Sequence, residues 1–225
     1  FRVPLMRARM QAVGTPLVQP KDVSLDVQVD HLSGGGAAGL PVTLRTQSER
    51  KAVSFDDYGD FAFAGGDVKE GREEYGDAFM RAGDFTFVDP DLVDEAGSGP
   101  KPVRGTTLAM TLDAAGGARA TVRDLESSDQ PQDLVAELAY RDPNGQTLTS
   151  STRVALWPSK VVLGIKPDSW TASKERLKFT VVAVDLAGKP LPGVRVATDA
   201  FRRETFSHRR RLIGGFYAYE HGHET

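Results

Sequence analysis

The chain has 225 residues, with 28 Lys and Arg against 31 Asp and Glu, and it contains no cysteine. A formal net charge of −3 gives no general attraction to nucleic acid or to an anionic membrane. Without cysteine the chain has no disulfide, no Cys-ligated zinc site and no thiol nucleophile. No apolar run approaches the roughly 20 residues that span a bilayer. The length is sufficient for one large domain or two modest ones.

The beginning of the chain shows the alternation of apolar and polar residues that is typical of β-strands. Residues 1–10 predict a strand at a sheet edge or a lead-in from a preceding domain, and residues 13–21 predict a loop. Residues 23–45 predict a strand, a Gly-rich turn and a second strand that follows the Leu-Pro pair at Leu40.

Residues 47–100 break this pattern because they are strongly acidic. They contain 14 Asp and Glu against 5 Lys and Arg, a local charge of −9, which leaves +6 for the remainder of the chain. The charge disfavours a compact core, but repeated aromatic residues beside Gly-Asp pairs argue against disorder. We therefore predict an acidic Gly/aromatic insertion that lies over a sandwich and is held by Phe and Tyr side chains.

Regular strand patterning returns after this insertion. Residues 106–112 and 118–125 flank a Gly-bearing loop, which predicts a hairpin. Residues 134–140 and 146–156 flank a turn that contains Pro143-Asn144-Gly145, and this is strong turn chemistry. Six or seven strands at this spacing are typical of a β-sandwich, and helical periodicity is nearly missing.

The plan of residues 23–45 recurs about 150 residues later. Residues 177–186 predict a strand, residues 187–190 a turn, and the second strand is predicted to begin at Gly193. Trp157-Pro158 is the predicted junction between two domains, because proline favours an edge or a linker. Further strands are predicted at 161–165, 204–209 and 215–219.

The predicted fold class is all-β, with tandem antiparallel β-sandwich domains of the fibronectin or Ig-like kind. The first domain is predicted at 1–157, with the acidic insertion at about 47–100. The second domain is predicted at 158–225 and is incomplete. Because the chain starts at Phe1 and stops just after a strand-like run, we expect a piece of a longer protein.

Two groups of residues were candidates for a metal site. His221 and His223 are two apart and share one face of a strand, but no third ligand cluster accompanies them, which favours a solvated surface. Asp56, Asp57 and Asp60 are suggestive of calcium, but they lack the ligand spacing of an EF-hand loop, which favours a solvated acidic face. The sequence therefore predicts no metal site.

A basic cluster lies near the end of the chain, at Arg202, Arg203 and residues 209–211, with Phe201 and Phe206 interleaved. Such a cluster can follow nucleic-acid phosphates, or it can contact an acidic neighbouring domain such as the insertion, and the negative whole-chain charge favours the second interpretation. No nucleophile-elbow or phosphate-binding glycine motif occurs. We predict no catalytic or cofactor-binding residue, no cofactor and no nucleic-acid partner.

Several strings of residues resemble the macroglobulin-like domains of bacterial alpha-2-macroglobulins. The matching strings, which together span nearly the whole chain, are Phe-Arg-Val-Pro at 1–4, Ser-Phe-Asp-Asp-Tyr at 54–58, Val-Lys-Glu-Gly at 68–71, Tyr-Arg-Asp-Pro-Asn-Gly at 140–145, Leu-Trp-Pro-Ser at 156–159 and the run at 209–220. The resemblance implies that both domains are macroglobulin-like.

The resemblance also implies a function for the parent protein. It implies a periplasmic lipoprotein, anchored to the inner membrane, that traps attacking endopeptidases after they cut a bait segment, and that can tether them through a Cys–Gln thioester. This chain has no cysteine for a thioester and no convincing bait segment. We expect a scaffold fragment with no direct membrane contact, whose partners are neighbouring domains and, through the parent, endopeptidases.

Two other hypotheses compete with that of a scaffold fragment. An Ig-like surface binding or adhesion module would present an aromatic platform to its ligand, and the Phe and Tyr residues of the insertion are the candidates for it. An enzyme would need a nucleophile or metal constellation, which the sequence does not show.

Overall fold

A computed structural model of the chain describes residues 3–65, 68, 70–75, 105–169, 177–211 and 217–225. These residues form strands and loops, with a single 3₁₀ turn at Asp56–Tyr58 among them. The prediction of an all-β fold is confirmed. In the part of the chain that is described, no helix has the length and apolarity needed to cross a membrane.

The chain divides into two compact units, Phe1–Gly65 with Pro102–Val194, and Gly66–Lys101 with Arg195–Thr225. The domain boundary predicted near Trp157 rests on the repeat in the sequence, and it stays a prediction. The strands of the first unit are β1 (Met6–Ala12), β2 (Leu17–Val18), β3 (Val23–His31), β4 (Pro41–Arg50), β5 (Ala62–Phe63), β7 (Gly105–Thr111), β8 (Gly117–Val122), β9 (Gln132–Arg141), β10 (Thr147–Trp157), β11 (Val162–Pro167) and β12 (Phe179–Val184). Those of the second unit are β6 (Arg72–Tyr75), β13 (Glu204–Arg211) and β14 (Tyr217–Glu224).

Two sheets of the first unit form a β-sandwich. One sheet has the strand order β1-β3-β8, and the other has the order β2-β10-β9-β4-β7, in which the short β2 runs parallel to β10. Successive side chains of a strand point to opposite faces, so the alternation in the sequence becomes one apolar face on each sheet. The buried side chains of β3 and β9 are Val23, Leu25, Val27, Val29, Leu134, Ala136, Leu138 and Tyr140. The predicted sandwich is confirmed, and β1 is an edge strand of it.

The turn between β9 and β10 fixes the start of β1. The buried Asp142 carboxylate accepts hydrogen bonds from the backbone N–H groups of Leu5 (2.7 Å), Met6 (3.1 Å) and Asn144 (3.0 Å). β9 and β10 pair in antiparallel register around this turn, as the sequence predicts. A single buried side chain therefore holds the edge strand against the neighbouring hairpin.

The hairpin predicted from residues 106–112 and 118–125 is wrong, although both strands exist. β7 pairs with β4 and β8 pairs with β3, so the loop between them crosses from one sheet to the other. Gly116 in this loop has φ +79° and lies against β3, because Val29 N–H donates to its carbonyl oxygen at 2.9 Å. A Cβ on Gly116 would stand 2.5 Å from the Val29 oxygen. Glycine is thus required by a crossing between sheets, and a local turn signal does not distinguish that crossing from a hairpin.

Two copies of one strand-and-turn plan occur in the first unit. We call β1, β3 and residues 31–39 the first repeat, and β11, β12 and residues 185–193 the second repeat. β11 pairs antiparallel with β12 as β1 pairs with β3. Three backbone hydrogen bonds of the first turn recur in the second with each residue number raised by 154, as from 31 to 185. They are His31 to Gly35, Gly34 to His31 and Ala37 to Val29, and then Asp185 to Lys189, Gly188 to Asp185 and Leu191 to Ala183.

The repeat predicted from the sequence is therefore present in the backbone. The strand predicted to begin at Gly193 is not, since residues 194–203 form no regular element. β5 adds instead to the free edge of β11, which gives a sheet of order β12-β11-β5.

The second unit contains a three-stranded antiparallel sheet of order β13-β14-β6. The guanidinium of Arg72 on β6 lies 4.3 Å from the ring centroid of Phe206 on β13, a distance at which the cation and the ring attract each other.

Candidate functional site

The histidine run lies in the C-terminal half of β14, which is the central strand of the sheet of the second unit. His223 is buried in this strand. Among the described residues, no three His, Asp or Glu side chains come together in a group that could hold a metal ion.

The acidic candidates Asp56, Asp57 and Asp60 lie in or beside the 3₁₀ turn, and all three are exposed. An Asp60 carboxylate oxygen lies 3.9 Å from Nζ of Lys166 on β11. Residues 76–104, which hold other Gly-Asp and aromatic pairs of the insertion, lie outside the described residues.

The basic cluster of the second unit is partly paired with groups of its own unit. Arg202 forms an ion pair with Glu204 at 2.5 Å, and Arg203 donates to the Thr225 hydroxyl at 3.3 Å. The side chains of residues 210 and 211 lie outside the described part. A contact with a neighbouring acidic domain stays a prediction for this cluster.

The most developed contact site is formed by residues 51–63, which we call the strap. Its aromatic rings meet edge to face. The centroids of Phe55 and Phe63 are 5.0 Å apart with an interplanar angle of 79°, and those of Tyr58 and Phe61 are 5.6 Å apart with an interplanar angle of 86°. Tyr58 also lies 6.3 Å from Phe63. Edge-to-face pairs at such distances add stabilisation to that of the buried area. The insertion is acidic in sequence, but its first part is organised by rings that pack on each other.

The strap covers the second repeat and the end of the sandwich together. Phe63 shares a buried cluster with Trp157 at the end of β10, Val162 on β11 and Val184 on β12. β5, the last part of the strap, pairs with β11 so that Phe63 stands opposite Gly164. The aromatic residues of the strap, Phe55, Tyr58, Phe61 and Phe63, thus pack in or against this cluster and form no exposed aromatic platform.

Two lysines cover the rim of this cluster. Lys51 Nζ lies 3.1 Å from an Asp133 carboxylate oxygen and 5.9 Å from the Trp157 ring centroid. Lys166 Nζ lies 4.9 Å from the Phe61 ring centroid. Both ammonium groups therefore lie within the distance at which a cation and an aromatic ring attract each other.

The opposite face of β11 and β12 is apolar and open among the described residues. Leu163, Ile165 and Phe179 are 44%, 47% and 40% exposed. Phe179 corresponds to Leu25 of the first repeat by the same step of 154, and Leu25 is fully buried in the sandwich. Within the described residues, the face that forms core in the first repeat is therefore exposed in the second.

The sequence predicted an insertion held by Phe and Tyr side chains, but not that its residues 51–63 cover the second repeat, although one signal pointed to this contact. Val182 and Val184 lie on the face of β12 where the first repeat carries Gln28 and Asp30. A strand that is apolar on both faces is typical of burial on both sides.

The sequence matches no protein-family model and no curated protein. Solved structures do match. The native Escherichia coli alpha-2-macroglobulin is 13% identical at a TM-score of 0.59, over 100% of this chain and 13% of that one. Salmonella alpha-2-macroglobulin reacted with methylamine is 14% identical at a TM-score of 0.62, over 100% and 14%. This chain has the fold of a segment of bacterial alpha-2-macroglobulin.

A third match is E. coli alpha-2-macroglobulin activated by porcine elastase, which is 17% identical at a TM-score of 0.55 over 100% of this chain and 18% of that one. The chain spans less than a fifth of each of these three alpha-2-macroglobulins. The resemblance drawn from short strings of residues is confirmed at the level of the fold.

Proposed function

We propose that this chain is a scaffold segment of a bacterial alpha-2-macroglobulin, a broad-spectrum endopeptidase inhibitor that traps attacking peptidases after bait cleavage. The observation that carries the proposal is the match of the whole chain to alpha-2-macroglobulin structures. Its described residues build a packed sandwich and a buried cluster between the sandwich, the strap and the second repeat. We call the contact between the sandwich and the second repeat the joint. Such packing suits a rigid segment that positions neighbouring domains. The chain itself is not an enzyme under this proposal, and it needs no cofactor.

The mechanism proposed for the segment is mechanical. A sandwich with interdigitated side chains moves as a rigid body, because close-packed cores shift as units and transmit strain. Cleavage of a bait elsewhere in the parent would then displace this body and pass the rearrangement to neighbouring domains through its interfaces. The partners are therefore the adjoining domains of the parent and, through the parent, endopeptidases.

The parent is proposed to be a periplasmic lipoprotein anchored to the inner membrane. This segment takes no part in the anchoring and binds no nucleic acid, in line with its net charge of −3. Fractionation of cells that express the tagged parent tests the location, with recovery in the cytosol as the contrary result.

The trap itself is tested with the parent protein and trypsin. Hydrolysis of a large protein substrate and of a small peptide substrate is followed in parallel after mixing. Loss of the first activity with retention of the second indicates caging. Full hydrolysis of both, with the parent degraded, overturns the proposal and favours an Ig-like binding module.

A further inference from the structure

The outer faces of the two repeats are built on the same backbone but have opposite chemistry. In the first repeat Arg9 donates to Asp30 at 2.7 Å, and Gln28 donates to the same carboxylate at 2.7 Å. The positions that pair in the same way in the second repeat are Gly164, Val182 and Val184. The first outer face is charged and solvated, whereas the second is apolar and covered by the strap.

Two glycines of the second repeat make room for two rings of the strap. A Cβ on Gly164 would stand 2.7 Å from Phe63 Cζ and closer still to Cε1, and its three nearest atoms all belong to this ring. A Cβ on Gly188 would stand 2.8 Å from Phe55 Cδ1. Gly34, the counterpart of Gly188 in the first repeat, has open space around it. The second repeat is therefore shaped to receive the strap.

The strap gives the second repeat a second attachment to the sandwich. The covalent connection from β10 to β11 is residues 158–161, a short linker about which a hairpin can rotate. The strap adds a second attachment through β4, because it begins directly after that strand, where the Lys51 N–H donates to the Pro131 carbonyl oxygen at 3.0 Å. At its other end Phe63 pairs with Gly164 of β11. Attachments through both β10 and β4 restrict the rotation that one linker permits.

We infer that the strap holds the second repeat and the sandwich together as one rigid body. The decisive contact is the packing of the Phe63 ring into the space that Gly164 leaves by having no side chain. The joint's part in passing on a rearrangement rests on the proposed function. The rigidity of the joint does not, because it is a property of this chain alone. The outer face of β11 and β12 is then the surface through which the second repeat is coupled to the sandwich.

The full 225-residue chain allows a direct test, because it has no cysteine of its own. Spin labels on Thr149→Cys, in β10, and Lys189→Cys, in the turn of the second repeat, report the distance across the joint by double electron–electron resonance. A second pair, Thr149→Cys and Ser33→Cys, lies within the sandwich and its first repeat and reports whether the sandwich is intact. All three sites are exposed.

We expect a single narrow distance distribution across the joint. Phe63→Ala should broaden it at least twofold and leave the control pair unchanged. Gly164→Ala should broaden it as well, whereas Gly59→Ala, a strap glycine whose added Cβ meets nothing within 4 Å, should not. Combining Gly164→Ala with Phe63→Ala should add no further broadening, because the added methyl then has no ring to displace.

A broad distribution in the unmodified chain overturns the inference, and so does a width that Phe63→Ala and Gly164→Ala leave unchanged. If Phe63→Ala also broadens the control pair, Gly164→Ala decides, since its methyl meets the ring alone. The result is independent of the caging assay. If the joint is rigid but the parent cages no peptidase, the proposed function is overturned and the inference about the strap is retained. If the joint is loose but the parent cages trypsin, the inference is overturned and the proposed function is retained.

Discussion

Leu25 and Phe179 occupy the same position in the two repeats, yet Leu25 is fully buried and Phe179 is 40% exposed. Replacing each by alanine therefore tests whether the second repeat is covered in this chain. A fully buried Leu→Ala change removes its transfer free energy and leaves a cavity, which together cost about 3 kcal/mol. Phe179 is already partly exposed, so Phe179→Ala removes less buried apolar area and leaves no enclosed cavity. We therefore expect a cost of about 1 kcal/mol, although phenylalanine is the larger side chain.

Urea unfolding followed by far-ultraviolet circular dichroism measures both effects. With an m-value of about 2 kcal/mol/M, the midpoint should fall by about 1.5 M for Leu25→Ala and by about 0.5 M for Phe179→Ala. Equal losses would contradict this expectation, because they would mean that the β12 face is packed as tightly as that of β3. An unchanged m-value in both variants is the control for a preserved native state.

Three further predictions concern the sandwich. Burial raises the pKa of Asp142, but the N–H groups of Asn144, Leu5 and Met6 and the charge of His31 hold that pKa below its ordinary value. Its stabilisation is present above the unfolded pKa of about 4 and is lost as pH falls through the folded pKa, so the difference in urea midpoint between the native chain and Asp142→Asn should shrink from pH 7 to pH 3. Gly36→Ala places a Cβ on the carbonyl oxygen of Ala115 and should lower the free energy of unfolding by about 2 kcal/mol, whereas Gly59→Ala should change the urea midpoint little. Arg119→Gln removes a 2.7 Å contact with Asp26 on an exposed face, and thermal unfolding at low and high salt should show no resolvable shift, since exposed ion pairs contribute little.

Much of the sandwich follows from local sequence. The alternation of β3 and of β9 defines which side chains are buried, and the Pro143-Asn144-Gly145 turn predicts the β9–β10 pairing that is observed. These features depend on residues that are close in sequence, where a period of two and turn chemistry carry the information.

The errors arise where distant residues decide the outcome. The loop around Gly116 has the composition of a hairpin turn, but β7 and β8 take partners in different sheets because β4 and β3 offer those edges. Residues 194–198 have strand-like composition and form no strand. Phe63 lies in a segment dominated by acidic residues, and it becomes core because Gly164, about 100 residues later, leaves space for its ring.

Under the proposed function, this segment is a scaffold that keeps its fold while the parent rearranges. Hydrogen–deuterium exchange of the parent, measured by mass spectrometry before and after trypsin, tests it most directly. We expect equal protection of the amides of β3, β4 and β9 in both states. Loss of protection across these strands, or a first trypsin cut within them, would contradict it.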